Sequence, residues 1–85
     1  MTITLRYFAW VRERIGHADE RVELTAEVAT VADLIGWLKT RGPEYAHAFD
    51  KPEVIRAALD QTHVKPNAAI GAAREIAFFP PVTGG

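Results

Sequence analysis

Gly84 and Gly85 close the sequence directly behind Pro80, Pro81, Val82 and Thr83, and theirs is the placement that most invites chemistry. Neither glycine carries a Cβ, so a chain end built from them passes through a narrow channel and takes backbone angles closed to other residues. Read as the last residue, Gly85 offers a free carboxylate. Near neutral pH that group is an anion and a poor electrophile, so activation must come from outside. An ATP-dependent partner that forms an acyl-adenylate would supply it, and a sulfur nucleophile displacing AMP would leave a thiocarboxylate. Taken alone, two glycines at a chain end are equally what a frayed terminus looks like. The lead-in gives them weight, because two consecutive prolines offer no N–H to a sheet and launch the chain along an extended path. Six extended residues reach at most about 20 Å, enough to enter the active site of another protein.

The side chains offer little competing chemistry. The chain has no cysteine and one methionine, Met1, so disulfides, thiolate metal sites and thiol nucleophiles are all excluded. His17, His47 and His63 show no metal-ligand spacing and read as surface or turn histidines, and no metal or bound cofactor is expected. No nucleophile and base can be assembled into a catalytic set, so a free-standing enzyme is not the expectation. Arg12-Glu13-Arg14 reads as a solvated turn, and Lys65 and Arg74 as isolated surface cations, which steer little by themselves.

The tail must be held by a folded body, and the hydrophobic periods describe one. Residues 2–8 alternate in character, with Ile3, Leu5 and Tyr7 inward and Thr4, Arg6 and Phe8 outward. Residues 9–15 predict a short helix or turn closed by Gly16, and residues 20–24 a second strand. Thr30 with Asp33 three residues on is a helix-starting pair, and Val31, Leu34, Ile35 and Leu38 recur at helical spacing. Gly42 and Pro43 are expected to end that helix, with a further helical turn in 43–50. Residues 54–59 and 62–64 predict two strands about a turn at Asp60-Gln61, and 76–79 the last strand. Strands at both ends of the chain and a single strong helix predict an α+β, ubiquitin-like β-grasp fold, a mixed sheet with one main helix packed across it. The body is expected to span residues 1–79 and the tail 80–85.

Eighty-five residues at 48% hydrophobic content suit one core. Charged residues make up 25% of the chain and nearly cancel, at a net charge of −1, so nothing points to nucleic acid or to a membrane surface. The core pattern begins at Ile3, leaving no room for a secretory leader, and the cytoplasm is the expected location. Alternation places Phe78 inward and Phe79 outward. Phe8 and Phe79, with His63, are therefore expected to form an exposed apolar patch that seats the body on a partner. The alternative is that one ring tucks under the helix and the other is an isolated surface aromatic. Trp10 and Trp37 read as packing at the core edge, with Trp10 near enough to Phe8 to extend the patch.

The stretch Ala77-Phe78-Phe79-Pro80-Pro81-Val82-Thr83-Gly84-Gly85 resembles the terminus of the small, sulfur-carrier subunits of molybdopterin synthase. Phe8-Ala9-Trp10-Val11-Arg12-Glu13, with Gly16 after it, is similar to the same family's opening. The resemblance implies a β-grasp fold and a cycle in which an E1-like enzyme adenylates Gly85 using ATP and a sulfur donor protein converts it to a thiocarboxylate. It also implies that the tail, from Pro80 through Val82 and Thr83 to Gly84 and Gly85, inserts into the large synthase subunit. There sulfur passes to cyclic pyranopterin monophosphate, and the catalytic side chains belong to that partner. Relatives usually carry an acidic turn before the last strand where this chain has Gly71-Ala72-Ala73-Arg74-Glu75, asparagine is common at Asp60, and a hydrophobic residue at His63. A carrier for another pathway such as thiamine, or a ubiquitin-like modifier or docking module, shares the same fold and remains an alternative.

Overall fold

The computed structural model describes residues 1–81. Five strands form one mixed sheet: β1 (Thr2–Tyr7), β2 (Asp19–Glu23), β3 (Arg56–Leu59), β4 (Thr62–Val64) and β5 (Glu75–Phe79), in the order β2-β1-β5-β3-β4. β5 is central and pairs in parallel with β1, while every other pairing is antiparallel. The last strand is thus clamped on both edges. Three helices, α1 (Ala9–Ile15), α2 (Val31–Lys39) and α3 (Pro43–Ala48), complete the β-grasp fold with a 3-10 turn at Pro52–Val54. The radius of gyration is 11.8 Å.

The period-2 pattern decides which face is covered. Ile3, Leu5, Tyr7, Ile76 and Phe78 are all at most 1% exposed and pack with Val31, Leu34, Leu38 and Phe49 in a single core. Phe78 is the hub, stacked with Tyr7 at a centroid separation of 6.3 Å and edge-on to Phe49 at 5.1 Å. Such aromatic pairs add about 0.5–1.5 kcal/mol beyond the area they bury.

α2 starts where the sequence predicts. Thr30 Oγ1 accepts from the Asp33 N–H at 3.1 Å, and Asp33 Oδ2 accepts from the Thr30 N–H at 3.0 Å. This reciprocal cap satisfies donors that the first helical turn otherwise leaves free. The end of α2 differs from expectation. It stops at Lys39, where the Thr40 hydroxyl donates back to the Trp37 carbonyl at 2.6 Å. Gly42 and Pro43 instead begin α3, with Pro43 at the first helical position, where a missing N–H costs nothing. Val54 is also not in a strand. Its N–H and that of Ile55 close the 3-10 turn onto Lys51 and Pro52, so β3 starts only at Arg56. β2 begins one residue earlier than the alternation suggested, because Asp19 is in register with Arg6.

Two turns fix the sheet's outline. Asp60 and Gln61 take φ of 47° and 71°, the left-handed pair that a two-residue hairpin requires. Asp60 then does more than turn the chain, because its Oδ1 accepts from the N–H groups of Arg74 and Glu75 at 2.9 and 3.1 Å. That carboxylate ties the β3–β4 hairpin to the start of β5 and so helps set the register of the strand that leads to Pro80 and Pro81.

Candidate functional site

The face of the sheet away from the helices is built by the alternate residues of the same strands. Register places Phe79 of β5 beside Arg56 of β3, and Ala77 in one row with Arg6 and Ala58, with His63 across from Ala58. Phe8 has extended angles and its N–H donates to the Phe78 carbonyl at 3.1 Å, so it continues the parallel ladder and falls next to Phe79. The two rings expected to share a face do share it. Phe8 is 43% exposed, Phe79 is half-buried, and Phe78 between them in sequence is fully buried.

His63 joins this group from β4, its ring 5.1 Å from that of Phe79. The small side chains of Ala58 and Ala77 leave a low floor between the aromatic row and the far end of the sheet. Arg6 lies over the Phe8 ring at 5.6 Å and reaches Glu75 at 3.9 Å. Immediately after Phe8 the chain turns sharply at Ala9, whose φ of 55° is unusual for a residue with a Cβ; holding it costs about 1–3 kcal/mol. That turn swings α1 off the end of β1 and leaves the Phe8 ring uncovered.

Pro80 and Pro81 are half-buried and leave the sheet from the end of β5, next to Phe8 and Arg56. The remaining residues of the expected site, Val82, Thr83, Gly84 and Gly85, lie outside the described residues. Trp10 does not extend the patch. It sits on α1 with Arg14 stacked 4.4 Å from its ring and lines a groove with His47, Asp50, Lys51 and Val54. Arg12, Glu13 and Arg14 are exposed, as expected, but lie on a helix rather than in a turn.

A polar cluster at the opposite edge was not foreseen. Glu20 points inward from β2 and accepts hydrogen bonds from Tyr7 Oη at 2.7 Å, Tyr45 Oη at 2.6 Å and Arg41 at 2.9 Å, with His17 Nε2 at 3.1 Å. Burial alone would raise its carboxyl, but hydrogen bonds from Tyr45, His17, Tyr7 and Arg41 outweigh that and hold it down at about 2. Burial and the Glu20 carboxylate push the Tyr45 phenol up to about 12, and the Tyr7 phenol is raised for the same reasons. His17 is exposed in the connection between α1 and β2, as expected of a surface histidine, and in addition bonds to Glu20. Only the inward register of Glu20 could have flagged it in the sequence. No group of side chains able to hold a metal ion occurs among the described residues.

Residues 5–85 match the ThiS family. The chain belongs to that family. Two curated ThiS-like relatives are the molybdopterin synthase sulfur carrier subunits of Haemophilus influenzae and Escherichia coli, each 35% identical over 83 residues, covering 98% of this chain and 99% of the relative. Among solved structures, SAMP1 from Haloferax volcanii superimposes with a TM-score of 0.73 at 26% identity, over the full length of both chains. The small chain matched in a protein-protein complex of subunits 1 and 2 of the molybdopterin-converting factor from Helicobacter pylori gives 0.63 at 17% identity, again over both full lengths. The last likeness speaks for the fold alone. The family's curated relatives are carrier subunits of an enzyme complex, and no helix among the described residues is long and apolar enough to cross a membrane.

Proposed function

We propose that this chain is the sulfur carrier of a molybdopterin synthase, working in the cytoplasm. The Gly85 carboxylate attacks the α-phosphorus of ATP in an E1-like partner and releases pyrophosphate. A sulfur donor protein then delivers sulfur at the oxidation level of sulfide, which forms a C–S bond to the Gly85 acyl carbon as the C–O bond to AMP breaks, so that AMP leaves and a thiocarboxylate remains. The loaded tail enters the large synthase subunit, where sulfur passes to cyclic pyranopterin monophosphate. Phe8, Phe79 and His63 seat the body on its partners while Pro80, Pro81, Val82 and Thr83 thread the tail. Gly84 keeps that path free of side chains.

The observation that carries this reading is the position of the last strand. β5 is hydrogen-bonded on both sides, and its end delivers Pro80-Pro81 beside the exposed ring of Phe8 and the half-buried ring of Phe79. A rigid root with an apolar seat around it suits a tail that must reach into another protein. One further fact supports it: the relatives that match across almost the whole chain are sulfur carrier subunits. The likeness to SAMP1, a small archaeal modifier protein, keeps a protein-modifier role as the second reading, which would leave isopeptide-linked conjugates on lysines.

Incubation with an E1-like enzyme, ATP and a sulfur donor, followed by intact mass measurement, tests the proposal. The expected result is a mass gain of one oxygen-to-sulfur exchange located at Gly85. Deleting Gly85 should abolish the gain with the fold intact. Equal charging of the shortened chain would overturn it.

A further inference from the structure

The exposed sheet face is not electrically uniform, and the difference runs across it from β2 to β4. On the β2 side the charges are of both signs: Asp19, Arg21 and Glu23 alternate along the strand, Arg6 reaches Glu75, and the N-terminal ammonium holds Glu23 at 2.7 Å. On the β4 side they are of one sign. Arg56 is in register with Phe79. Lys65, one position beyond Val64, falls opposite Arg56 because Val64 pairs with Ala57. The two cations also meet at the rim of a cleft between this edge of the sheet and α2, and among the described residues neither has an ion-pair partner. The nearest acid of that hairpin, Asp60, is at the far end and already accepts from two backbone N–H groups.

The row next to the tail root therefore reads Phe8, Phe79, Arg56, Lys65: apolar at one end and cationic at the other. We infer that this row fits a protein partner whose apolar socket is bordered on one side by carboxylates, and that the charged end sets the carrier's rotation about its tail. The inference rests on the docking face proposed above and adds the partner's chemistry to it. A tail alone defines an axis but leaves the body free to turn around it. Two rings add grip but little sense of direction. A carboxylate pair facing Arg56 and Lys65 selects one orientation, and it also raises the rate of productive encounter, because opposite charges steer approach before contact. Arg56 suits the task, since its planar fork meets a carboxylate with two parallel hydrogen bonds.

The test is the association kinetics of the full chain with the large synthase subunit of the same organism, measured across ionic strength. Wild-type association should slow as salt rises. The double reversal Arg56→Glu, Lys65→Glu should associate more slowly by about tenfold or more at low salt and approach wild type at high salt, and it should also dissociate faster because the bound carboxylate contacts are lost. The neutral pair Arg56→Gln, Lys65→Gln should fall between the two, and it secures the result should the reversal perturb folding. Arg21→Glu with Lys39→Glu makes the same change in net charge elsewhere and should track wild type. If the Arg56 and Lys65 variants associate like wild type, or only as slowly as the Arg21 and Lys39 control, the inference is wrong. Phe79→Asp separates the two levels. Lost binding by Phe79→Asp beside unaffected Arg56 and Lys65 variants defeats the charged corner alone, whereas normal binding by Phe79→Asp defeats the docking face and the corner with it.

Discussion

Phe78 and Phe79 are neighbours on one strand, yet they belong to different parts of the molecule. Phe78 is fully buried between Tyr7 and Phe49, and Phe79 lies on the open face beside His63. A strand turns successive side chains to opposite faces, so the β-grasp sheet separates two tasks within a single step of sequence. The inner face holds the fold together. The outer face keeps aromatic surface that folding has not fully used, and it does so where β5 ends at Pro80.

The largest effect that could break this comparison comes from truncating both rings. Phe78→Ala should cost about 3–5 kcal/mol, the loss expected for a buried phenylalanine whose site cannot collapse. In a domain of this size that lowers the melting temperature by well over 10 °C, at roughly 4–8 °C per kcal/mol. Phe79→Ala should cost less than about 1 kcal/mol, since few of its contacts contribute to the core. Urea or thermal unfolding of the two variants measures both, and comparable losses would show that the faces do not divide the work.

A smaller effect sharpens the account of the inner face. Glu20 is held at about 2 in the folded chain against an ordinary 4.5. A depressed carboxyl contributes stability that is present above its unfolded value and is lost as pH falls towards the folded one. Unfolding free energy should therefore drop between about pH 4.5 and 2. Glu20→Gln should lower stability at neutral pH and flatten that acid limb, and denaturant titrations at several pH values would read both. An acid limb as steep in Glu20→Gln as in wild type would show that other carboxylates carry it.

Much of this was legible in the sequence because it depends on local rules. Alternation in residues 2–8 and 76–79 separates the inner from the outer face, Thr30 with Asp33 marks the start of α2, and Asp60-Gln61 marks the hairpin. The patch of Phe8, Phe79 and His63 follows from those same alternations plus one assumption about which strands are neighbours. What escaped depends on competition or on distant contacts. Thr40 stops α2 before Gly42 can, and Pro52 diverts Val54 into a 3-10 turn. The Glu20 cluster gathers Tyr7, His17, Arg41 and Tyr45 from separate elements, and no spacing in the chain announces it. Trp10 turns towards Arg14 because α1 is a true helix, which puts the two side chains on one face at i and i+4. The unequal charge of the two sides of the outer face likewise emerges only once register sets Arg56 opposite Phe79.

The most direct test of the whole account is a single turnover of the loaded carrier. Chain bearing a thiocarboxylate at Gly85 is mixed with the large synthase subunit and cyclic pyranopterin monophosphate, and its intact mass is followed together with product. The account predicts that the chain returns to its carboxylate mass as sulfur appears in the pterin, and that Phe79→Asp, loaded equally, transfers far more slowly. Product formed while the carrier keeps its sulfur, or formed equally well with a chain lacking Gly85, would contradict it.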